Sequence, residues 1–214
     1  MLKAHYYDGG RLKTKLGTVC SEDASFSKRR NTFADMEICI LAGGLSVRMG
    51  RAKSRLRIGK NALLGHVRAM AKRTGLPVRV IRRDIVPHAG PLSGILSSLK
   101  TTRADAVLFL ACDMPFVTNE LLESLILAFS SRKLPALFVS MNGKVGFPFI
   151  LSSAIAQKVE NQWASNDFSL QSLAKKLQAK KFRVTAKHHW DLFNVNTPAD
   201  LKIARRQAGP PKPK

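Results

Sequence analysis

Residues 36–53 run MEICILAGGLSVRMGRAK. A short apolar stretch over residues 38–41 fits a buried strand, and it stops at Ala42, Gly43 and Gly44 before Arg48, Arg51 and Lys53 follow. Gly43 and Gly44 admit backbone conformations closed to other residues and carry no side chain, so amide N–H groups can approach an anion closely. Arg48 and Lys53 add charge suited to the same oxygens. The spacing excludes the two familiar phosphate loops. Gly44 and Gly50 enclose five residues, Lys53 comes three after Gly50, and no GxGxxG is present.

Outward from this stretch, strand and helix patterns alternate. Leu64, Val67, Met70 and Ala71 share one helical face within residues 61–74, and residues 78–81 are β-branched enough for a strand. A helix is expected over 90–100, a fully apolar strand over 106–111, and a helix over 118–130 with Thr118 as its N-cap. Residues 137–140 and 147–151 fit two further strands, and 169–178 and 198–206 two further helices. Such alternation implies an α/β layer structure around a mostly parallel sheet. Residues 1–35 hold seven Lys or Arg against four acids without apolar periodicity, so a disordered extension is expected there, with the functional domain over 36–206. Residues 207–214 form a solvated tail.

Composition narrows the partners. Thirty-six Lys and Arg against 14 Asp and Glu give a net charge of +22, which favours nucleotides, phosphorylated metabolites or other polyanions. Nucleic acid is disfavoured as the main partner, since aromatics are only 7% of the chain. No apolar run reaches membrane-spanning length. Two of the three cysteines, Cys39 and Cys112, lie in apolar runs, as expected for a reducing, cytoplasmic setting, and neither cysteines nor histidines show zinc-site spacing.

In a parallel sheet, ligands bind beyond the carboxyl ends of the strands. Besides the glycine loop, two such places stand out. Asp113, in ACDMP (111–115), follows the apolar strand and can hold Mg2+ against phosphate oxygens. Asp84 precedes GPLSGI (90–95), where Gly90 and Pro91 open a helix beside a ribose or phosphate setting. His88 and Ser93 lack a GxSxG elbow, which argues against a hydrolase.

LAGGLSVRMGRAK, GPLSGI, ACDMPF and NVNTPADL (194–201), in that order, resemble the molybdenum cofactor guanylyltransferase family over about residues 36–206. The resemblance implies a Rossmann-like three-layer α/β/α nucleotidyltransferase domain. It implies transfer of GMP from GTP to the phosphate of molybdopterin with Mg2+ and release of pyrophosphate. Leu41, Ala42, Gly43, Gly44, Lys53, Asp84 and Asp113 would contact the nucleotide, with Arg48, Lys53 and Asp113 catalytic and Asp113 on the metal. Asn194 and Asn196 match the acceptor-side asparagines. Molybdoenzymes or their chaperones are implied partners. A molybdopterin cytidylyltransferase, another small-molecule guanylyltransferase and a non-catalytic carrier of nucleotide or cofactor are the alternatives. One family strand and its asparagine loop are missing after Thr74, and Phe147-Pro148 stands where the family has His-Pro.

Overall fold

The computed structural model describes residues 5–8, 11–14, 35–43, 56–82, 90–132, 134–185 and 188–209. The chain divides into two compact units, Met1–Asn31 and Thr32–Lys214. Within the first, strands β1 (His5–Asp8) and β2 (Arg11–Thr14) pair antiparallel.

The second unit is built on a six-stranded sheet. Its chain order runs β3 (Met36–Leu41), a small hairpin of β4 (Arg57–Ile58) and β5 (Asn61–Ala62), α1 (Leu63–Arg73), β6 (Val78–Ile81), α2 (Gly90–Thr101), β7 (Ala106–Ala111) and α3 (Asn119–Ser130). Then come β8 (Ala136–Met141), β9 (Lys144–Ser152), α4 (Ala156–Ala164), α5 (Leu170–Lys176), β10 (Lys180–Arg183) and α6 (Pro198–Gln207). The strands lie in the order β10-β8-β9-β7-β3-β6, and only β9 runs against its neighbours. The sheet is therefore mixed but mostly parallel.

Period-two alternation sorts side chains to the two faces. Met36, Ile38 and Ile40 of β3, with Ala106, Leu108 and Leu110 of β7, pack against α1 and α3 through Val67, Ala71, Leu121 and Leu125. Cys39, Val107 and Phe109 face the other way, onto Leu92, Ile95 and Leu96 of α2, Val159 of α4 and Leu173 of α5. Phe109, Phe149 and Phe138 stack in a row across β7, β9 and β8, with centroid separations of 5.1 and 4.5 Å. These are the layers expected from the sequence. The α2 helix is buried without interruption from Leu92 to Leu99, including Ser93, Ser97 and Ser98.

Arg79 on β6 ties an edge of the sheet to the end of α2. Its guanidinium donates to Glu37 Oε1 at 2.5 Å, to the Ser98 carbonyl and hydroxyl at 3.0 Å each, and to Thr101 Oγ1 at 2.5 Å. A planar fork with several donors fits this task, and its charge sits favourably at a helix C-terminus.

Four elements differ from the sequence expectation. The expected helix start at residue 61 gives way to the β4–β5 hairpin, and the helix begins at Leu63. Helix α4 and strand β10 have no counterpart in the expected elements, because AQKVENQWA buries only Val159 and Gln162, and KKFR keeps three of four residues exposed. Strand β9 begins at Lys144 rather than at the expected residue 147, and a bulge accommodates Phe147 and Pro148 within it: Phe138 pairs with Phe149 and Val139 with Gly146. Proline is tolerated inside a sheet where no ladder donor is needed. Gln171 closes the ladder beyond the bulge, its amide donating to the Val145 carbonyl at 2.6 Å and accepting from the Val145 N–H at 3.1 Å.

Burial pushes the Cys39 thiol up to about 11 from an ordinary 9.0. Between those values the unfolded chain loses this proton and the folded chain keeps it, so stability present below pH 9 declines toward pH 11 by at most about 1.4 kcal/mol per unit. Replacing Cys39 with Ala is expected to flatten that part of the stability profile, measured as the wild-type minus variant difference in urea midpoint between pH 8.5 and 11. Parallel profiles would show that Cys39 does not carry it.

Candidate functional site

The carboxyl ends of β3, β6 and β7 lie side by side because the three strands run parallel. At β3 the chain leaves the sheet through Leu41, Ala42 and Gly43. The Leu41 carbonyl accepts from the Cys112 N–H at 3.1 Å, and the Ala42 N–H donates to the Ile81 carbonyl at 2.8 Å. The loop base is thus fastened to both neighbouring strands. Gly43, exposed, supplies the first amide beyond the sheet's ladder.

Asp113 stands two residues past β7 and is half-buried. The turn around it closes through Met114 N–H to the Ala111 carbonyl at 3.3 Å and Val117 N–H to the Met114 carbonyl at 3.4 Å. Directly after it, Thr118 caps α3 and also donates to Asp191 Oδ2 at 3.3 Å. His188 Nδ1 meets the same oxygen at 2.8 Å.

The third component comes from the far end of the chain. The Val195 N–H donates to the Asp113 carbonyl at 2.8 Å, which sets Asn194 and Asn196 on either side of a bond to the aspartate. Val195 itself is fully buried with Ile58, Leu63, Leu201 and Ala204, while Asn194 and Asn196 are exposed. A rim of Phe116, Trp190 and Phe193, with centroids 5.2 to 6.3 Å apart, packs over this cluster. The N-terminus of α6 then fixes the asparagine turn: Asp200 Oδ2 accepts from the N–H groups of Asn196 at 3.0 Å and Thr197 at 2.8 Å, and the Thr197 hydroxyl accepts from the Asp200 N–H at 3.1 Å. This is a reciprocal capping box.

Of the residues expected at the site, Leu41, Ala42, Gly43, Asp113, Asn194 and Asn196 are thus gathered at one edge of the sheet. Gly44, Arg48, Lys53 and Asp84 lie outside the described residues. The sequence gives no expectation for Asp191, His188 or Val195. Val195 had a usable signal, an apolar residue between two asparagines, whereas the Thr118–Asp191 contact joins residues 73 positions apart and has none. Among the described residues no group of three or more His, Cys, Asp or Glu gathers as a metal site. One hard carboxylate at a strand end is a donor set that fits Mg2+, which keeps several waters and shares phosphate oxygens.

With this geometry in view, the chain compares closely with one group of proteins. A family model described as the MobA-like NTP transferase domain matches residues 69–181. The chain belongs to that family. A molybdenum cofactor guanylyltransferase of Pseudomonas putida is 30% identical over 184 residues, covering 77% of this chain and 95% of the relative. A probable molybdenum cofactor guanylyltransferase of Pelotomaculum thermopropionicum is 29% identical over 191 residues, covering 79% and 91%. Among solved structures, molybdopterin-guanine dinucleotide biosynthesis protein A of Archaeoglobus fulgidus superposes with a TM-score of 0.66 at 21% identity, covering 81% of this chain and 98% of that one. The fold also matches a 4-diphosphocytidyl-2C-methyl-D-erythritol synthase of Anaerococcus prevotii, with a TM-score of 0.64 at 14% identity, covering 82% and 98%. The nucleotidyltransferase fold expected from the sequence is therefore the one observed. No helix among the described residues is long and apolar enough to cross a membrane.

Replacing Thr197 with Ala removes the cap, and is expected to lower stability by about 1 kcal/mol and to shift the backbone amide resonances of Asn194 and Asn196. Urea unfolding and amide NMR check both. Unmoved asparagine amides would show that the cap does not fix the turn.

Proposed function

We propose that this protein is an Mg2+-dependent nucleotidyltransferase that moves GMP from GTP to the phosphate of molybdopterin and releases pyrophosphate. The observation that carries this is the Val195 to Asp113 hydrogen bond, which joins the NVN turn to the strand-end turn that holds Asp113. The names borne by relatives of similar length support the choice of nucleotide and acceptor.

The acceptor phosphate is already anionic, so no protein nucleophile is required. One of its oxygens attacks the α-phosphorus in line, the new P–O bond forms as the bond to the β-phosphate oxygen breaks, and pyrophosphate leaves with the bond electrons. Charge grows on the equatorial and leaving oxygens, and preorganised donors aimed there lower the barrier. The Gly43 amide, with Gly44, is assigned to the NTP phosphates, and the Ala42 N–H is already committed to Ile81. Arg48 and Lys53 are assigned to the leaving pyrophosphate, Leu41 and Asp84 to the nucleoside. Asn194 and Asn196 are assigned to the acceptor, oriented by Asp200. Bound at Asp113, Mg2+ would supply neutralisation of charge on the phosphate oxygens. Localisation in the cytoplasm accords with the two buried free thiols, Cys39 and Cys112.

Pyrophosphate release measured with each NTP and molybdopterin tests this assignment. The highest turnover is expected with GTP. Because α1 reaches β6 through residues 74–77 alone, CTP is the informative competitor, and a CTP preference would replace the guanine assignment. Absence of release with every NTP, alongside tight cofactor binding, would make the protein a carrier. Asp113→Asn is expected to lower turnover by about a hundredfold or more with little change in unfolding midpoint. Lys53→Ala is expected to weaken NTP binding roughly 10- to 100-fold, read by calorimetry. Wild-type behaviour in both would remove the site assignment.

A further inference from the structure

A second feature of the same sheet edge is not used by the transfer reaction. Strands β7 and β8 both run against β9, so the carboxyl end of β8 opens on the same edge as Asp113. There a pocket of about 310 Å³ is lined by Ser140, Asn142, Gly143, Lys181, Arg183 and Val184. We propose that this pocket is a second anion site, one that takes a phosphate-type group of a small molecule.

Lys181 and Arg183 alternate along β10 and so share one face of the strand, while Phe182 between them packs into the opposite core. Parallel pairing sets Arg183 opposite Ser140. Among the described residues, neither cation has an acidic partner, and the Ser140 hydroxyl makes no hydrogen bond and is open to the pocket it lines. The turn beside them carries positive φ at Asn142 and Gly143, 52° and 79°. A forked guanidinium, a compact ammonium and a hydroxyl together suit a tetrahedral anion. Basic residues on an edge strand commonly just guard against edge pairing. Here they converge with the Ser140 hydroxyl in a concavity instead, and its volume sits at the lower end of the roughly 300–1,000 Å³ of small-molecule sites. With strands about 4.8 Å apart, β8 lies roughly 10 Å from β7, so this anion is distinct from the phosphates at Asp113.

Two sources share this anion chemistry: an anionic group at the far end of the acceptor, other than its attacking phosphate, or a free phosphorylated metabolite. The test is a titration of the full chain with inorganic phosphate, without NTP, followed at the Ser140 and Gly143 amides by NMR. Binding needs no turnover, so its outcome is separate from that of the transferase assignment. Saturable shifts are expected, weakened at least tenfold in the Lys181→Gln/Arg183→Gln double variant while amides of α1 stay in place. Phosphate that then competes with the acceptor in turnover marks the acceptor as the occupant. Phosphate that alters turnover at saturating acceptor marks a free metabolite. Unmoved Ser140 and Gly143 amides, or equal shifts in the double variant, overturn the proposal.

Discussion

The in-register parallel pairing of β3 with β7, from Met36 opposite Ala106 to Leu41 opposite Ala111, is the constraint on which the rest of the site depends. It brings the loop after Leu41 and the turn at Asp113 out of the sheet at one level. The Cys112 N–H then closes on the Leu41 carbonyl, so the ladder extends into the turn itself. A slip of β3 by one residue would turn Ile38 and Ile40 to the wrong core, and the buried side chains on both faces resist this. Core packing thereby sets the relative height of a glycine loop and a carboxylate that are 70 residues apart in sequence.

The second requirement is to bring the end of the chain back to that edge. Burial of Val195 beside Ile58, Leu63 and Leu201 supplies the driving force, and its N–H to the Asp113 carbonyl supplies the register. The β4–β5 hairpin exists largely to present this cluster. Arg57 accepts from Arg205 Nε on α6 through its carbonyl at 3.1 Å, and Leu63 N–H reaches back to the Leu56 carbonyl at 2.7 Å. Exposed asparagines can be positioned well only if the residues flanking them are immobile, and here Val195 and Asp200 do that.

Much of this was legible in the sequence where one residue type leaves few structural options. Residues 78–81 and 106–111 coincide with observed strands, and Thr118 caps α3, since a fully apolar or β-branched run and a hydroxyl before an amphipathic helix each have one favoured outcome. The motifs around Gly43, Asp113 and Asn196 gave the family and the edge of the sheet. What was not legible depended on long-range partners. KKFR becomes β10 only because β8 offers a parallel edge, and Gln162 is buried in α4 because the Asp167 and Ser169 carbonyls accept from its amide at 2.9 and 3.0 Å. Lys181 lines a pocket for the same reason, since the pairing of β10 with β8 sets it beside Ser140 and Arg183.

A crystal structure of the protein with GTP and Mg2+ tests the central claim most directly. The account predicts the triphosphate lying across the carboxyl ends of β3 and β7, with the Gly43 amide on a phosphate oxygen, the metal on the Asp113 carboxylate, and Asn194 and Asn196 facing the α-phosphorus from the acceptor side. A nucleotide bound elsewhere, or a metal held without Asp113, would contradict it.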